Sequence, residues 1–131
     1  MKYFLLDGGG NFLPLFGELF AFMVLAILLE AFVMFQYKLN RFGKCLSQSV
    51  IVNIVSLVAG ILIGYLISGI GGEKISLVLP FIIMFVATVL IEGGFLIWMN
   101  RQQAKKKIWQ ATLVMNIASY AILIMFLLAY R

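Results

Sequence analysis

Four long apolar runs dominate the chain, from about Leu15 to Tyr37, Val50 to Ile70, Ile75 to Met99 and Ile108 to Tyr130, each bounded by charges or glycine-rich breaks. A helix needs about 20 mainly apolar residues to cross a hydrocarbon core of roughly 30 Å, and each run has that length. The runs are apolar on both parities instead of alternating with period two, so a transmembrane barrel is excluded and helices are expected. The pattern therefore predicts an all-α integral membrane protein, one membrane domain over residues 1–131 with four transmembrane helices. Residues 1–14 read as a short outer-face segment, with Tyr3, Phe4, Phe12 and Leu13 at the interface and Pro14 starting the first helix. Asp7 and the Gly8, Gly9, Gly10 break arrive too early for the apolar core of a cleavable signal.

The runs resemble one another in pairs. Val24 to Glu30 (VLAILLE) aligns with Val86 to Glu92 (VATVLIE) at an offset of 62, and at an offset of 63 Lys44 meets Lys107, Ser49 meets Thr112, Asn53 meets Asn116 and Ser56 meets Ser119. This predicts two duplicated helical hairpins, about 15–70 and 75–130, related by a pseudo-two-fold axis along the membrane normal. The matching positions are the polar ones, which hydrocarbon makes costly. Glu30 lies eight residues before Lys38, Glu92 nine before Arg101, Asn53 nine after Lys44 and Asn116 nine after Lys107. At 1.5 Å per residue all four fall about 12 to 14 Å inside the basic boundary. They are expected to form one layer of a four-helix bundle, with Ser56 and Ser119 one turn further out and Glu18 as an outer acid.

Close packing has its own signature. Ser49, Asn53, Ser56, Gly60, Gly64 and Ser68 make a small or polar stripe on the second helix, and Gly60 with Gly64 forms the small-xxx-small pattern of tightly apposed helices. The stripe is expected to seat a helix of the same bundle, or of a second subunit. In the third helix Gly93 and Gly94 permit close approach or a bend beside Glu92, and Pro80 predicts a tolerated kink near the outer end.

Composition fixes the class. With 64% hydrophobic residues, 11% charged and a mean hydropathy of +1.11, a soluble globule is excluded. The loops after the first and third runs carry Lys38, Arg41, Lys44, Arg101, Lys105, Lys106 and Lys107 and no acid, against Lys2, Lys74 and Arg131 on the other side. The positive-inside rule then puts both termini outside and both basic loops in the cytoplasm, in a membrane such as the bacterial cytoplasmic one. Such a patch between spans reads as a topology anchor in contact with anionic headgroups, not as a nucleic-acid surface. Tyr37, Trp98, Trp109 and Tyr130 fall at span ends as interface anchors.

The chain has no His and one Cys, Cys45, placed in the first cytoplasmic loop as a reduced, incidental thiol, and its Met residues are scattered as packing fillers. No catalytic residue, metal site or cofactor is expected, and enzyme chemistry is the weakest class. Two readings of the Glu/Asn layer remain. Two carboxyls and two amide oxygens could hold a cation or share protons, as in a small transporter or ion pathway. Alternatively, protonated Glu side chains donating to Asn carbonyls fix helix packing in an accessory subunit of a larger complex. The expected partners are the bilayer and either a second copy or a larger membrane protein.

Overall fold

The computed structural model describes residues 12–71 and 78–129. Four helices follow in order: α1 (Phe12–Gln36), α2 (Phe42–Gly71), α3 (Val78–Met99) and α4 (Lys105–Ala129). Each packs against its two neighbours in a ring, α1 on α2, α2 on α3, α3 on α4 and α4 on α1, and no diagonal pair is packed among the described residues. The result is a four-cornered bundle in which α1 faces α3, and α2 faces α4, across a central axis. Among the described residues three helices are long and apolar enough to cross a membrane, over Phe42–Leu66, Leu79–Met99 and Lys105–Phe126, and α1 adds a shorter apolar stretch, Phe20–Gln36.

Two helices, α2 and α4, run past the apolar runs at their basic ends. α2 begins at Phe42, so Lys44 and Cys45 belong to its first turns and not to a loop, and Lys105 to Lys107 open α4. Hydropathy marks the thickness of lipid, whereas a helix continues into the headgroup region wherever its residues allow. Pro14 and Pro80 each fall within the first described turn of their helix, and the segments that precede those turns lie outside the described residues. Phe12 to Pro14 are already helical, while residues 1–11, with the rest of the expected outer-face segment, lie outside the described residues, as do Glu73, Lys74, Tyr130 and Arg131.

α1 stops abruptly. Lys38 has φ of 52°, the left-handed region, while Leu39 N–H donates to the Met34 carbonyl at 3.1 Å and Lys38 N–H to the Phe35 carbonyl at 2.8 Å. This pair of bonds is a Schellman termination, and the apolar contact it usually brings is supplied by Leu39 and Met34, both in the buried core. A side chain in this conformation costs about 1 kcal/mol relative to glycine. Lys38→Gly is therefore expected to raise the unfolding free energy in mixed micelles by about that amount, and a drop would mean that the Lys38 side chain itself stabilises the fold.

The core is lopsided. Met34, Cys45, Val52, Leu96, Ile108, Ala111 and Met115 are fully buried between the polar layer and the basic loops, and Leu39 is buried within the first of those loops. On the other side, beyond Ala26 and Ser119, no described side chain is buried. The bundle is thus tied at its loop end and more loosely packed toward its termini.

Candidate functional site: a ring of carboxyls and donors

Glu30 from α1 and Glu92 from α3 are 2% and 1% exposed. They come from diagonal helices that are not packed on each other among the described residues, and both are buried inside the bundle. Each is held by donors from both flanking helices. Glu30 accepts from Ser49 Oγ at 3.0 Å and from Asn53 Nδ2, both on α2, through one oxygen, and from Ser119 Oγ of α4 at 3.0 Å through the other. Glu92 accepts from Asn116 Nδ2 of α4 at 2.8 Å and is hydrogen-bonded by Ser56 of α2. All four helix–helix seams therefore carry one polar clamp at this level.

The Asn side chains are turned opposite to the expected sense. Each Nδ2 also donates to the carbonyl four residues back, Asn53 to Ser49 at 2.9 Å and Asn116 to Thr112 at 3.0 Å. A carbonyl only accepts, so the amide nitrogen faces it, and that nitrogen meets the carboxyl. The carboxyls are thus surrounded by donors, and the Asn oxygens are not directed at them.

Ser49 and Ser56 have a further property. Each hydroxyl also lies within reach of an acceptor-only carbonyl, Ser49 with Ile27 O at 3.0 Å and Ser56 with Asn53 O at 3.2 Å. A serine can turn its single proton toward the carboxylate, or toward the carbonyl while accepting from a carboxylic acid. Both protonation states of the ring can then be fully hydrogen-bonded. Thr112, aligned with Ser49, instead donates to the Ile108 carbonyl at 2.9 Å, so the two halves differ there.

A second polar layer lies nearer the loops. Asn100 Oδ1 accepts from Asn40 Nδ2 and from Gln48 Nε2, the latter at 3.0 Å, and Asn40 Nδ2 also reaches Gln48 Oε1 at 3.2 Å. Gln103 Nε2 donates to the Leu39 carbonyl at 3.0 Å and Lys107 Nζ to the Lys38 carbonyl at 3.1 Å, tying the two loops together. On the far side of the ring, Tyr120 OH lies 3.4 Å from Thr88 Oγ1, its ring set edge-on between Phe81 and Phe85. Sequence reasoning missed these groups. Asn100 falls eight residues after Glu92, so helical spacing could have found it; Gln48, one residue off the α2 stripe, and Asn40, in a turn, offer no such signal.

The remaining expected residues separate. Glu18 sits two turns or more from the ring on α1, half-buried, and does not join it. The α2 stripe stays inside the bundle as far as Gly60, whose missing side chain leaves room for Met84 of α3; Gly64 has nothing near it, and the Ser68 side chain lies outside the described part. Gly93 is packed under the Trp109 ring, whereas Gly94 is open. Lys38, Arg41, Lys44, Arg101, Lys105 and Lys106 are exposed and Lys107 is half-buried. Cys45 is buried, its thiol 3.5 Å from the Asn40 carbonyl. Among the described residues no group of three or more His, Cys, Asp or Glu side chains could hold a metal ion. Comparison with family models, curated proteins and solved structures finds no match to this chain.

Proposed function

We propose that this is a small non-enzymatic membrane protein of four spans, built from two duplicated hairpins, that moves protons, alone or with a co-transported solute, through the Glu30/Glu92 ring. The observation that carries the reading is the pair of buried carboxyls from diagonal helices, each surrounded by donors from both neighbours. A bound metal cation would need several oxygen ligands, and the Asn side chains offer nitrogen instead. A proton fits: two carboxyls that repel when both ionised accommodate one readily, and Ser49 and Ser56 can reorient to match. The duplication is supported by the paired clamps, Glu30 with Asn53 and Ser119 answering Glu92 with Asn116 and Ser56. The seven basic residues at the tied end support a cytoplasmic assignment for it, with both termini outside.

In liposomes under an imposed pH gradient, the wild-type protein is expected to carry a proton flux at least about ten-fold above a Glu30→Gln, Glu92→Gln double variant, roughly the effect of removing about 1.4 kcal/mol or more of barrier lowering. If neither moves protons and both fold equally well, the transport reading falls.

A second reading is favoured by a different observation: among the described residues no buried side-chain N or O is left without a partner. A closed, fully satisfied ring is also what a packing device would be, in an accessory subunit whose exposed apolar faces meet another protein. Such a subunit should bring a larger membrane partner through purification in mild detergent, and a chain that purifies alone from its native membrane at full yield speaks against it.

A further inference from the structure

The loop end of α1 holds a cavity of about 330 Å³ lined by Phe35, Gln36, Lys38, Asn40 and Arg41. Its upper wall carries two exposed cations, and Lys107, whose ammonium is bonded to the Lys38 carbonyl, adds a third charge beside it. Neither basic loop contains a carboxylate that could neutralise them. One wall is aromatic: Phe35 is exposed there, and Phe42, exposed and just outside the lining, packs edge to face on it with ring centres 5.9 Å apart. Phe35 lies in the last turn of α1, which ends at Gln36, whereas Lys38 and Arg41 follow that end. The cavity therefore changes from cationic to apolar in the direction that leads from a lipid phosphate toward its acyl chains.

We infer that this cavity is a binding site for one anionic phospholipid, its phosphate held by Lys38 and Arg41 with Asn40 as a neutral donor, and its acyl chains resting on Phe35 and Phe42. Arg41 offers a planar fork matched to two phosphate oxygens, and Lys38 a point charge. Lys38 and Arg41 both line this one cavity. A polynucleotide would use the cations but has no use for the apolar edge. The site is independent of the proton ring, and either assignment can fail without the other.

The test uses purified full-length protein in a neutral detergent, with retained lipid counted by native mass spectrometry as phosphatidylglycerol is titrated in. Lys38→Asn, Arg41→Gln removes both cations while suiting the backbone at residue 38, and Lys105→Gln, Lys106→Gln removes equal charge from exposed positions outside the cavity. At about five-fold per cation near a lipid phosphate, the first variant is expected to bind one phosphatidylglycerol on the order of 25-fold more weakly. The second should bind as wild type does, and Lys38→Arg, Arg41→Lys should retain most of the affinity. Equal losses in the two charge-removing variants would overturn the site in favour of diffuse surface charge. Equal retention of phosphatidylcholine would remove the anion requirement, and displacement by inorganic phosphate at matching concentration would make free phosphate the ligand; each outcome rejects the proposal.

Discussion

Glu30→Ala is expected to destabilise the folded bundle by about 3 kcal/mol, more than any other single change in the ring. The substitution removes the acceptor of three donors, Ser49, Asn53 and Ser119, and leaves a cavity on the bundle axis. The donors do not suffer equally. Ser49 can fall back on the Ile27 carbonyl and Asn53 already shares the Ser49 carbonyl, but Ser119 donates to Glu30 and without it becomes a buried orphan, at about 1 to 3 kcal/mol. The carboxyl cavity supplies the rest. Glu92→Ala should cost less, about 2 kcal/mol, because Asn116 retains the Thr112 carbonyl and Ser56 the Asn53 carbonyl. Glu30→Gln keeps the volume and one acceptor oxygen and should cost about 1 kcal/mol. Reversible unfolding in mixed micelles gives the order. If Glu92→Ala proved the worse of the two, the fallback carbonyls would not be taking up the freed donors.

This ordering could not have been read from the sequence, although the ring members could. Hydrocarbon makes a buried Glu or Asn conspicuous, and counting residues inward from Lys38, Lys44, Arg101 and Lys107 puts Glu30, Asn53, Glu92 and Asn116 at matching depth because a helix rises by a constant 1.5 Å per residue. Depth along an axis is what periodicity measures; rotation about it is only partly determined, and partners across a seam are not determined at all. That Ser119 belongs to Glu30, the carboxyl of the other hairpin, follows from α1 and α4 being ring neighbours, and ring order is a tertiary fact. The sense of the Asn side chains is hidden from the sequence for a similar reason. The competition between a carboxyl and the carbonyl four residues back is invisible until both are placed.

The amide layer illustrates a second limit. Asn40, Gln48 and Asn100 lie where the apolar runs give way to charge, and residues there read as solvated. Gln48 faces inward because α2 continues past the end of its apolar run, whereas Asn100, in the turn after α3, and Asn40, in the turn after α1, are drawn in by their bonds to Gln48 and to each other. The same continuation moves Cys45 and Lys44 from loop to helix. Polar layers on one side and half-buried apolar positions on the other make the bundle stiffer at its basic end. A change of access to Glu30 and Glu92 would then come from the terminal half, where Tyr120 and Thr88 stand next to the ring.

The adjacent glycines of α3 should respond to alanine with opposite signs. At Gly93 a Cβ would lie 2.2, 2.7 and 2.8 Å from three atoms of the Trp109 ring, far inside van der Waals contact. The ring is rigid, so it must swing out of the α3–α4 seam toward lipid, uncovering the helix one residue from Glu92 and loosening the Asn116 clamp. Overpacking of this kind costs up to about 3 kcal/mol, while alanine recovers about 1 kcal/mol of helix propensity, leaving a net loss near 2 kcal/mol for Gly93→Ala. At Gly94 nothing lies within 4 Å of the added methyl, and Gly94→Ala should stabilise by about 0.5 to 1 kcal/mol through propensity alone. Gly60→Ala is the intermediate case, since its Cβ meets only the flexible end of Met84, at 2.9 Å, and should be near neutral. The cause at Gly93 can be isolated in a double-mutant cycle: with Trp109→Ala already in place, Gly93→Ala loses its clash and should become stabilising. An additive cycle would mean that Gly93 is required for its backbone, not for the ring that covers it.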